Sequence, residues 1–417
     1  MLDIKFIKEN ADLMREAARK KRVKFDLDQL LKAEEERLLL LSEVENMRRE
    51  QNIVSDKVGR GEGMKDELLA AMRKLKAKLG EKEEKLAEVM KGWQGFMLQV
   101  PNIPDMSVPD GDDDSSNQEI KRWGDVSEFE FTPKSHVELM QERDWADFER
   151  GAKVAGFRGY FLKNDAALLS FAIWQYGLKF FSERGMSPMI VPSLVRRENM
   201  LGTGYLPQGE EDLYKTQDGE YLSGTAEVAT MGYFMNDTLE KAKLPIKILA
   251  FSPCFRREAG AHGKDTKGMI RVHEFFKLEQ VVLCEASHEE SVKWHEWVNR
   301  NTEEFIESLG IPYHTVINCG GDLGLGQVKK YDIELWVPSE ETYREISSAS
   351  YFHDFQTRRL NIRYRDEAGK LRYAHSLNST AVPTPRILVS IIENFQQADG
   401  TVKIPAVLVP YMGKEVI

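Results

Sequence analysis

The sequence has few features of a secreted protein, a membrane protein or a cysteine-based metal protein. It contains only three cysteines, Cys254, Cys284 and Cys319, and no CxxC pair, which argues against a disulfide framework and a cysteine zinc site. No segment approaches eighteen uninterrupted apolar residues, and the first residues lack an apolar run before a small-residue cleavage site. We therefore expect a cytoplasmic protein without a membrane partner.

Length and charge restrict the partners further. The 417 residues are enough for two domains, and 41% hydrophobic with 30% charged residues is typical of soluble globular proteins. The net charge of −10 disfavours a polyanion partner for the chain as a whole. Residues 1–100 nevertheless carry 22 basic and 20 acidic residues, a net charge of +2, which leaves −12 for the remainder. Contact with a nucleic acid is thus expected in the N-terminal part.

Two heptad series predict a helical hairpin there. Apolar-leaning positions alternate in steps of four and three from Leu40 to Val58 and from Leu68 to Phe96, on either side of the glycine-rich segment 59–63. We therefore predict an antiparallel coiled-coil arm over about residues 26–100. At 1.5 Å per residue, the arm would be about 50 Å long. Its apolar stripe is used by its own partner helix, so it either binds a nucleic acid or serves as a spacer or dimerisation element. The basic side chains available for a nucleic acid are Arg48, Arg49, Lys57, Arg60, Lys65, Arg73, Lys74, Lys76 and Lys78.

A change of composition predicts the domain boundary. The segment from Pro101 to Asn117 carries three prolines and a run of aspartates and serines without periodicity, which is typical of a linker. Beyond it, helix-like stretches such as Asp165–Arg184 alternate with strand-like runs such as Ile246–Phe251. We predict an α+β protein with an N-terminal domain at 1–104, a linker at 105–117 and a mixed-sheet domain at 118–417.

The segment from Cys254 to Glu279 has the pattern of a nucleotide-binding hairpin. On a strand over Phe251–Glu258, Arg256 and Glu258 would share a face, placing a phosphate ligand beside an acceptor for an adenine amino group. On a returning strand over Val272–Gln280, Phe275, Lys277 and Glu279 would share a face, and Phe275 could stack on a base. The loop between them holds three glycines and three basic residues, which suits a phosphate-binding loop. An exposed hairpin with solvated charges is the alternative.

This segment resembles motif 2 of the class II aminoacyl-tRNA synthetases, and in detail that of the seryl-tRNA synthetases. The resemblance extends over the whole chain. Phe180–Val195 resembles motif 1, which forms the dimer interface of class II enzymes; Tyr221–Val228 matches the TxE segment of the family, with Thr225 and Glu227 expected on one strand face. In this family an N-terminal arm grips the variable arm of serine tRNA, so the resemblance favours the nucleic-acid function for residues 26–100.

Two further segments match the family near the C-terminus. Tyr343–Arg359 carries Glu345, Ser347 and Ser348, oxygen donors that suit Mg²⁺. His375–Asn394 is predicted to run from a polar turn into an apolar helix that begins at Arg386, and it resembles motif 3. It departs from the common family pattern at 379–385, where Ser379 and Thr380 replace Gly-Ser and Pro385 replaces the glycine before the arginine. We expect the anion site to survive, since proline is tolerated in the first turn of a helix.

The resemblance implies serine activation with ATP, followed by transfer to tRNA(Ser) and possibly tRNA(Sec), by an Mg²⁺-dependent homodimer in protein biosynthesis. It implies that Arg256 and Arg386 are the main catalytic residues, with Arg256 on the α-phosphate and Arg271 with Arg386 on the leaving pyrophosphate. The implied ATP ligands are Arg256, Arg257, Glu258, Arg271, Val272, Phe275, Glu345, Ile346, Ser347, Ser348 and Arg386. The implied serine ligands are Thr225, Ala226, Glu227, Arg256, Glu279, Asn378 and Thr380, and the implied metal ligands are Glu345 and Ser348.

Other motifs and other functions are weaker candidates. Gly320–Gly326 is not GxGxxG and lacks the lysine of a P-loop, so we interpret it as a structural turn. His288 and His295 have no third clustered ligand, which disfavours zinc. A catalytically idle paralogue that binds tRNA is the main alternative function. A carrier-protein aminoacylating relative would lack the arm, and the zinc-dependent form of the synthetase would need a cysteine-based set.

Overall fold

The computed structural model describes residues 2–62, 64–260, 263 and 265–417. The chain divides into two compact units, Met1–Arg19 with Val23–Pro101 and Lys20–Arg22 with Asn102–Ile417. Part of the predicted phosphate-binding loop, Ala261, His262 and Lys264, lies outside the described residues, as do Gly63 of the predicted hairpin tip and the side chain of Lys65. None of the helices formed by the described residues is both long and apolar enough to cross a membrane.

The smaller unit is built from helices. Their bounds are α1 Ile4–Glu9, α2 Ala11–Lys20, α3 Leu27–Arg60 and α4 Lys65–Gln99. The carboxylate of Asp26 caps α3 by accepting from the backbone N–H of Gln29 at 3.0 Å, and α3 ends at Gly61 with φ of 70°. The predicted start near Asp26 and end near Val100 are confirmed, because Val100 is the C-terminal cap of α4.

The long pair α3 and α4 packs along the predicted heptad seam. Leu40 and Val44 of α3 are buried against Leu79 and Leu86 of α4. Ion pairs join the exposed flanks, with Lys85 Nζ 3.0 Å from a Glu36 carboxylate oxygen and an Arg48 guanidinium nitrogen 2.7 Å from Glu83. The predicted antiparallel helical hairpin is therefore confirmed, and the buried residues of its heptad seam pack within the pair.

The larger unit combines helices with a large sheet. Its helices within the described residues are α5 His136–Glu142, α6 Phe148–Ala155, α7 Asn164–Glu183, α8 Arg197–Thr203, α9 Ala226–Tyr233, α10 His288–Leu309, α11 Phe355–Leu360, α12 Arg386–Asn394 and α13 Val409–Met412. Its strands are β1 Gln118–Trp123, β2 Ala146–Asp147, β3 Phe161–Leu162, β4 Ser187–Ile190, β5 Leu194–Val195, β6 Tyr214–Lys215, β7 Tyr221–Leu222, β8 Thr238–Leu239, β9 Ile246–Phe255, β10 Glu274–Cys284, β11 Tyr313–Ile317, β12 Lys329–Val337, β13 Thr342–His353, β14 Arg363–Arg365, β15 Leu371–Tyr373 and β16 His375–Thr384.

The main sheet has eight strands in the order β1-β11-β12-β13-β16-β10-β9-β4. All neighbours are antiparallel except β4 and β9. Its apolar face carries Leu278 and Val382 into a core with Phe181 of α7, Phe305 of α10 and Leu388 of α12. The prediction of an α+β fold with an antiparallel sheet flanked by helices is confirmed, and the opposite face of the central strands is left for polar side chains.

Residues 102–117, most of the predicted linker, are packed on the larger unit. The Asn102 side-chain amide donates to the carbonyl oxygens of Gly326 and Phe352, at 2.9 and 2.8 Å. The backbone N–H of Asp105 donates to the Val328 carbonyl at 2.9 Å, and its carboxylate accepts from the Tyr351 hydroxyl at 2.7 Å. This segment is held mainly by hydrogen bonds to residues of the larger unit, and it has no periodic row of apolar side chains. Its composition therefore resembles that of a free linker.

Two predicted elements near the site were wrong in kind or extent. The strand predicted over Phe251–Glu258 ends at Phe255, since Arg256 and Arg257 leave the sheet and Glu258 has a positive φ of 55°. The polar turn predicted after His375 is instead strand β16, whose residues Ser376 to Thr384 are all buried. Ser376 and Thr384 hydrogen-bond to neighbouring strands or helices, and Asn378 and Thr380 line a cavity, so their polarity does not mark a turn.

Candidate active site

The polar face of strands β10, β13 and β16 forms the floor of a cavity of about 490 Å³. A second cavity adjoins it, and Arg256, Lys277, Glu345 and Thr380 line both. The wall of the first cavity is completed by the backbone of Gly324–Gly326 and by Thr225, Glu227 and Tyr205. Most of the residues predicted from the sequence are therefore brought to one place, although they come from positions 225–386 of the chain.

A β-bulge in β13 sets which side chains enter the cavity. Glu345 pairs with Glu334 and Ser347 with Ile333, so Ile346 is an extra residue without a partner in β12. Glu345 and Ser348 consequently both line the first cavity, whereas Ile346 lines the second. Ser347 points elsewhere, because its buried hydroxyl donates to the Thr380 carbonyl at 2.6 Å. The structure thus does not place the Ser347 side chain among the ATP ligands that were predicted.

A second bulge lies between β10 and β16. Leu278 pairs with Val382 and Glu279 with Thr380, which leaves Ala381 as the extra residue. Thr380 therefore lies directly opposite Glu279, and Asn378 lies opposite Ser350 of β13. Thr380, Asn378 and Glu279 all line the first cavity, as predicted for the serine ligands.

Buried charges meet at the bottom of this cavity. Lys277 and Glu279 are 5% and 2% exposed, and the Lys277 ammonium forms an ion pair with the Glu279 carboxylate. Lys277 also donates to the Thr225 and Thr380 hydroxyl oxygens at 3.0 and 3.4 Å, and the Thr225 hydroxyl donates to Glu279 at 3.3 Å. These four side chains form one connected network.

Thr225 and Glu227 are not on a strand, contrary to the prediction. Thr225 is the N-cap of helix α9, and its side-chain oxygen accepts from the Glu227 backbone N–H at 3.3 Å. Both side chains still face the cavity, because the first turn of α9 points its N-terminus there. Ala226, also predicted as a serine ligand, has a buried methyl group on the same turn that does not line the cavity.

Glu227 is held by two neutral donors. The Gln356 amide donates to one carboxylate oxygen at 2.6 Å and the Tyr205 hydroxyl to the other at 3.0 Å. Burial raises the pKa of Glu227 to about 7, and the nearby charge of Glu279 acts in the same direction, while the hydrogen bond from Gln356 opposes them. A cation placed next to Glu227 would restore its charged form.

The residues that follow β9 line the second cavity. Arg256 lies with its guanidinium carbon 5.2 Å from the centre of the Phe275 ring. Glu258 accepts from Arg271 at 2.7 Å, so one carboxylate and one guanidinium of the predicted nucleotide ligands are paired with each other. Val272 lines the same cavity. Arg257 points away, since it donates to the Glu211 backbone carbonyl at 3.1 Å and does not line either of the two described cavities.

Arg386 closes the far end of the second cavity. It is the first residue of α12, and Pro385 precedes it as the N-cap. Its partly buried guanidinium donates to the backbone carbonyls of Ile270 at 3.0 Å and Glu345 at 2.6 Å, which holds it in place. Burial lowers the pKa of Arg386 from its usual value, with Glu345 opposing the shift.

Several lining residues were missed by sequence analysis. Lys277 was noted only for sharing a face with Phe275 and Glu279, and Tyr205 lies in a segment without a motif. Gln356, which holds Glu227 from behind the cavity wall, lies in the matched segment Tyr343–Arg359 but was given no role. The glycine turn, set aside as structural, contributes Gly324–Gly326 to the cavity wall. Asp332 lies opposite Ser348 in the pairing of β12 with β13. This pairing depends on the bulge in β13, which the sequence does not reveal. The one sign in the sequence was the position of Lys277 itself, two residues before Glu279 and therefore on the same predicted strand face.

Comparison with known proteins agrees with this geometry. Residues 1–104 match the family model of the seryl-tRNA synthetase N-terminal domain, and residues 214–395 match the class II tRNA synthetase core domain for G, H, P, S and T. A serine–tRNA ligase of Deinococcus radiodurans is 46% identical over 99% of this chain and 98% of its own length. One of Thermodesulfovibrio yellowstonii is 44% identical over 100% of both chains.

Solved structures show the same likeness. The seryl-tRNA synthetase of Pyrococcus horikoshii, complexed with ATP, is 40% identical with a TM-score of 0.91 and covers 100% of this chain and 99% of its own. A cytoplasmic serine–tRNA ligase of Naegleria fowleri, in complex with AMP, is 31% identical with a TM-score of 0.85 over 98% of this chain and 95% of its own. Full-length identity above 40%, together with both domain matches, shows that this chain belongs to the seryl-tRNA synthetases, the class II serine–tRNA ligases.

Proposed function

We propose that the two joined cavities activate serine with ATP, with serine in the larger cavity and the nucleotide in the smaller one. The observation that carries this assignment is the sharp difference in charge between the two ends. The first cavity has the buried carboxylates Glu227 and Glu279, which suit an ammonium group, and the second is lined by Arg256, Arg271 and Arg386, which suit phosphates. Arg256 lines both, at the point where the two substrates would react.

Adenylate formation needs no protein nucleophile. The serine carboxylate attacks the α-phosphorus of ATP and pyrophosphate leaves, so positioning and charge neutralisation do most of the work. We assign Arg256 to the α-phosphate and Arg271 with Arg386 to the pyrophosphate. A phosphate at Arg271 would replace its present partner Glu258, which frees that carboxylate to accept from the adenine amino group. Phe275 stacks on the base, with backbone near Val272 completing its contacts.

The residues fit a divalent cation at Glu345 and Ser348. Both side chains face the same cavity beside the arginines, and one oxygen of the buried Asp332 carboxylate has no hydrogen-bond partner among the described residues. Burial would raise the pKa of Glu345, but the charges of Arg386, Lys330 and Arg256 outweigh it and keep the pKa below its usual value. Bound there, Mg²⁺ would neutralise charge on the ATP phosphates.

Serine selectivity follows from the polar floor. Glu227, Thr225 and Glu279 are assigned to the ammonium and hydroxyl groups, and Thr380 with Asn378 to the hydroxyl side. A site built to bind a hydroxyl group rejects an analogue that lacks it by about 10⁴-fold or more, because buried polar groups would lose their partners. Alanine is rejected in this way, and threonine is rejected by its extra methyl group.

The helical hairpin is assigned to tRNA(Ser), with tRNA(Sec) as a further substrate. The basic residues that suit phosphate contacts are exposed wherever their side chains are described, namely Arg48, Arg49, Lys57, Arg60, Arg73, Lys74, Lys76 and Lys78. Lys65 is included on its sequence position alone. The hydroxyl of the terminal adenosine of the tRNA then attacks the seryl-adenylate, and serine is transferred.

We also propose that the enzyme is a cytoplasmic homodimer. The motif 1 elements α7 and β4 expose Leu168, Phe171 and Ile190, the last with 85% of its surface accessible. β4 is an edge strand of the main sheet, and an exposed apolar edge is typical of a pairing surface.

The test is serine-dependent exchange of pyrophosphate into ATP, without tRNA, beside alanine, threonine, glycine and cysteine. Exchange with serine alone is expected, and Arg256→Ala should abolish it while leaving tRNA binding intact. Deleting residues 30–95 should do the reverse. Folded protein that binds tRNA but exchanges with no amino acid would be an idle paralogue, and normal exchange by Arg256→Ala would remove the central assignment.

A further inference from the structure

We infer that Lys277 is a positioning residue that fixes the direction of the hydrogen bonds in the amino-acid cavity and thereby the discrimination between serine and alanine. The inference rests on the proposed binding of serine in that cavity. Lys277 is 5% exposed and lies on β10, where it lines both cavities. It is thus a buried charge at the junction of the two substrates.

The donors of Lys277 are fully matched by its neighbours. An ammonium group has three N–H donors and no acceptor. The partners are the Glu279 carboxylate, the Thr225 hydroxyl oxygen at 3.0 Å and the Thr380 hydroxyl oxygen at 3.4 Å. With three partners for three donors, Lys277 has no donor left for a substrate, so it acts through the groups it holds.

These contacts determine where each hydroxyl proton points. Each threonine oxygen accepts from Lys277, so its own proton is directed away from the ammonium. For Thr225 that proton is donated to Glu279 at 3.3 Å. For Thr380, which lies opposite Glu279 and lines the cavity, the proton is left to point into the cavity. There it can donate to the hydroxyl oxygen of serine.

Lys277 also sets the acceptor side of the cavity. Its ammonium group is ion-paired with the Glu279 carboxylate, which fixes the position of that carboxylate at the cavity floor. The oxygens of this carboxylate accept hydrogen bonds. Serine then meets one donor, Thr380, and one acceptor, Glu279, directly across the strand pair. A substrate without a hydroxyl group leaves both unpaired.

The test compares Lys277→Met and Lys277→Gln with wild type in pyrophosphate exchange, measuring KM and kcat for serine, alanine and ATP separately. We expect Lys277→Met to raise the serine KM by about tenfold or more and to lower the serine-over-alanine ratio of kcat/KM by at least about tenfold. The ATP KM should be unchanged. Lys277→Gln retains two donors, so it should restore part of the discrimination although it lacks the charge.

Lys329→Met is the matched control. Lys329 is a partly buried lysine of the same sheet, ion-paired with Glu296 at 3.9 Å outside the two cavities. Its replacement should leave discrimination unchanged. Thermal unfolding of each variant separates loss of fold from loss of positioning, and Lys277→Gln carries the test if Lys277→Met does not fold.

Unchanged discrimination in a folded Lys277→Gln or Lys277→Met protein would overturn the inference. So would a change confined to the ATP KM or to kcat, since Lys277 would then contact the reacting groups directly. Absence of serine exchange by wild type would instead overturn the proposed function, which keeps the two failures distinguishable.

Discussion

Glu345 and Ser348 face the same cavity although they are three positions apart on one strand. On a regular strand an odd spacing places side chains on opposite faces. The extra residue Ile346 in the bulge of β13 restores them to one face. A carboxylate and a shorter hydroxyl side chain thereby reach the same cavity, and the carboxylate also lies 3.8 Å from the Arg386 guanidinium. The linear spacing alone would place them on opposite faces.

This geometry predicts opposite outcomes for two adjacent serines. Ser348→Ala should weaken metal-dependent activity, seen as a higher Mg²⁺ concentration for half-maximal exchange and weaker Mn²⁺ binding in the presence of ATP by electron paramagnetic resonance. Ser347→Ala should leave both unchanged, but lower the free energy of unfolding by about 1–2 kcal/mol, because the Thr380 carbonyl loses a buried donor. Equal metal effects in the two variants would contradict the bulge assignment.

The raised pKa of Glu227 predicts that the free energy of unfolding depends on pH. Its folded pKa is raised to about 7 by burial, so the folded protein keeps a proton that the unfolded chain releases near its ordinary pKa. The stabilising effect is complete below the unfolded pKa of about 4.3 and is lost as pH rises through about 7. The difference in free energy of unfolding corresponds to about 4 kcal/mol.

Glu227→Gln removes this dependence. Urea unfolding should show the variant more stable than wild type at pH 8 by up to about 4 kcal/mol, with little difference at pH 4. Serine-dependent exchange should fall sharply, because the amide cannot pair with an ammonium. The exposed Glu81→Gln is the control and should shift neither quantity. A variant destabilised at pH 8 would show that the charged form is already satisfied in the folded state.

The periodic features of the fold were predictable from the sequence, and the aperiodic ones were not. Leu40, Val44, Leu79 and Leu86 repeat at heptad spacing, so the arm and its limits followed directly. The strand β16 was predicted as a polar turn, since residues such as Ser379 and Asn378 are polar although buried. Local composition cannot report burial that is created by neighbouring strands.

The same limit applies to the site. Arg256 and Arg386 were found because phosphate binding restricts residue type, whereas the role of Glu279 came from the resemblance to the seryl-tRNA synthetases. Glu227 was also found, but on the wrong kind of element. Lys277 was not assigned a role, because its three partners come from α9, β10 and β16. Contacts between distant segments depend on register, which the two bulges shift by one residue.

The glycine turn at 320–326 is predicted to matter for packing rather than for phosphate. A Cβ atom on Gly321 would lie 2.2 Å from the Asp112 carbonyl oxygen, so Gly321→Ala should lower the free energy of unfolding by about 1–3 kcal/mol. The ATP KM should not change. Gly80→Ala in α4, with open space around the site of its Cβ atom, should instead stabilise by about 0.5–1 kcal/mol. A raised ATP KM without lost stability in Gly321→Ala would point to a phosphate loop.

The exposed edge at β4 predicts the oligomeric state. Ile190→Asp should convert the proposed dimer to monomers, because a carboxylate replaces an apolar side chain at the pairing edge. Sedimentation velocity across a range of concentrations measures the change. Met106→Asp is the control, since Met106 is fully exposed but lies apart from motif 1. A monomeric wild type would contradict the proposal before any variant is made.

The arm predicts a separation of tRNA binding from serine activation. Lys74 and Lys78 are exposed and lie one turn apart on α4. The double variant Lys74→Glu, Lys78→Glu should raise the tRNA Kd by about tenfold or more at physiological salt and reduce the salt dependence of binding, because phosphate contacts are lost. Serine-dependent exchange without tRNA should be unchanged.

A pair outside the arm separates contact from overall charge. Lys5 and Lys8 are exposed, and Lys8 lies in the last turn of α1. Lys5→Glu, Lys8→Glu changes the net charge by the same amount as the arm variant. Filter binding of tRNA at several salt concentrations compares the two. If both pairs weaken binding equally, the arm acts only through the field of the protein; if only the arm pair does, its basic residues contact the tRNA backbone directly.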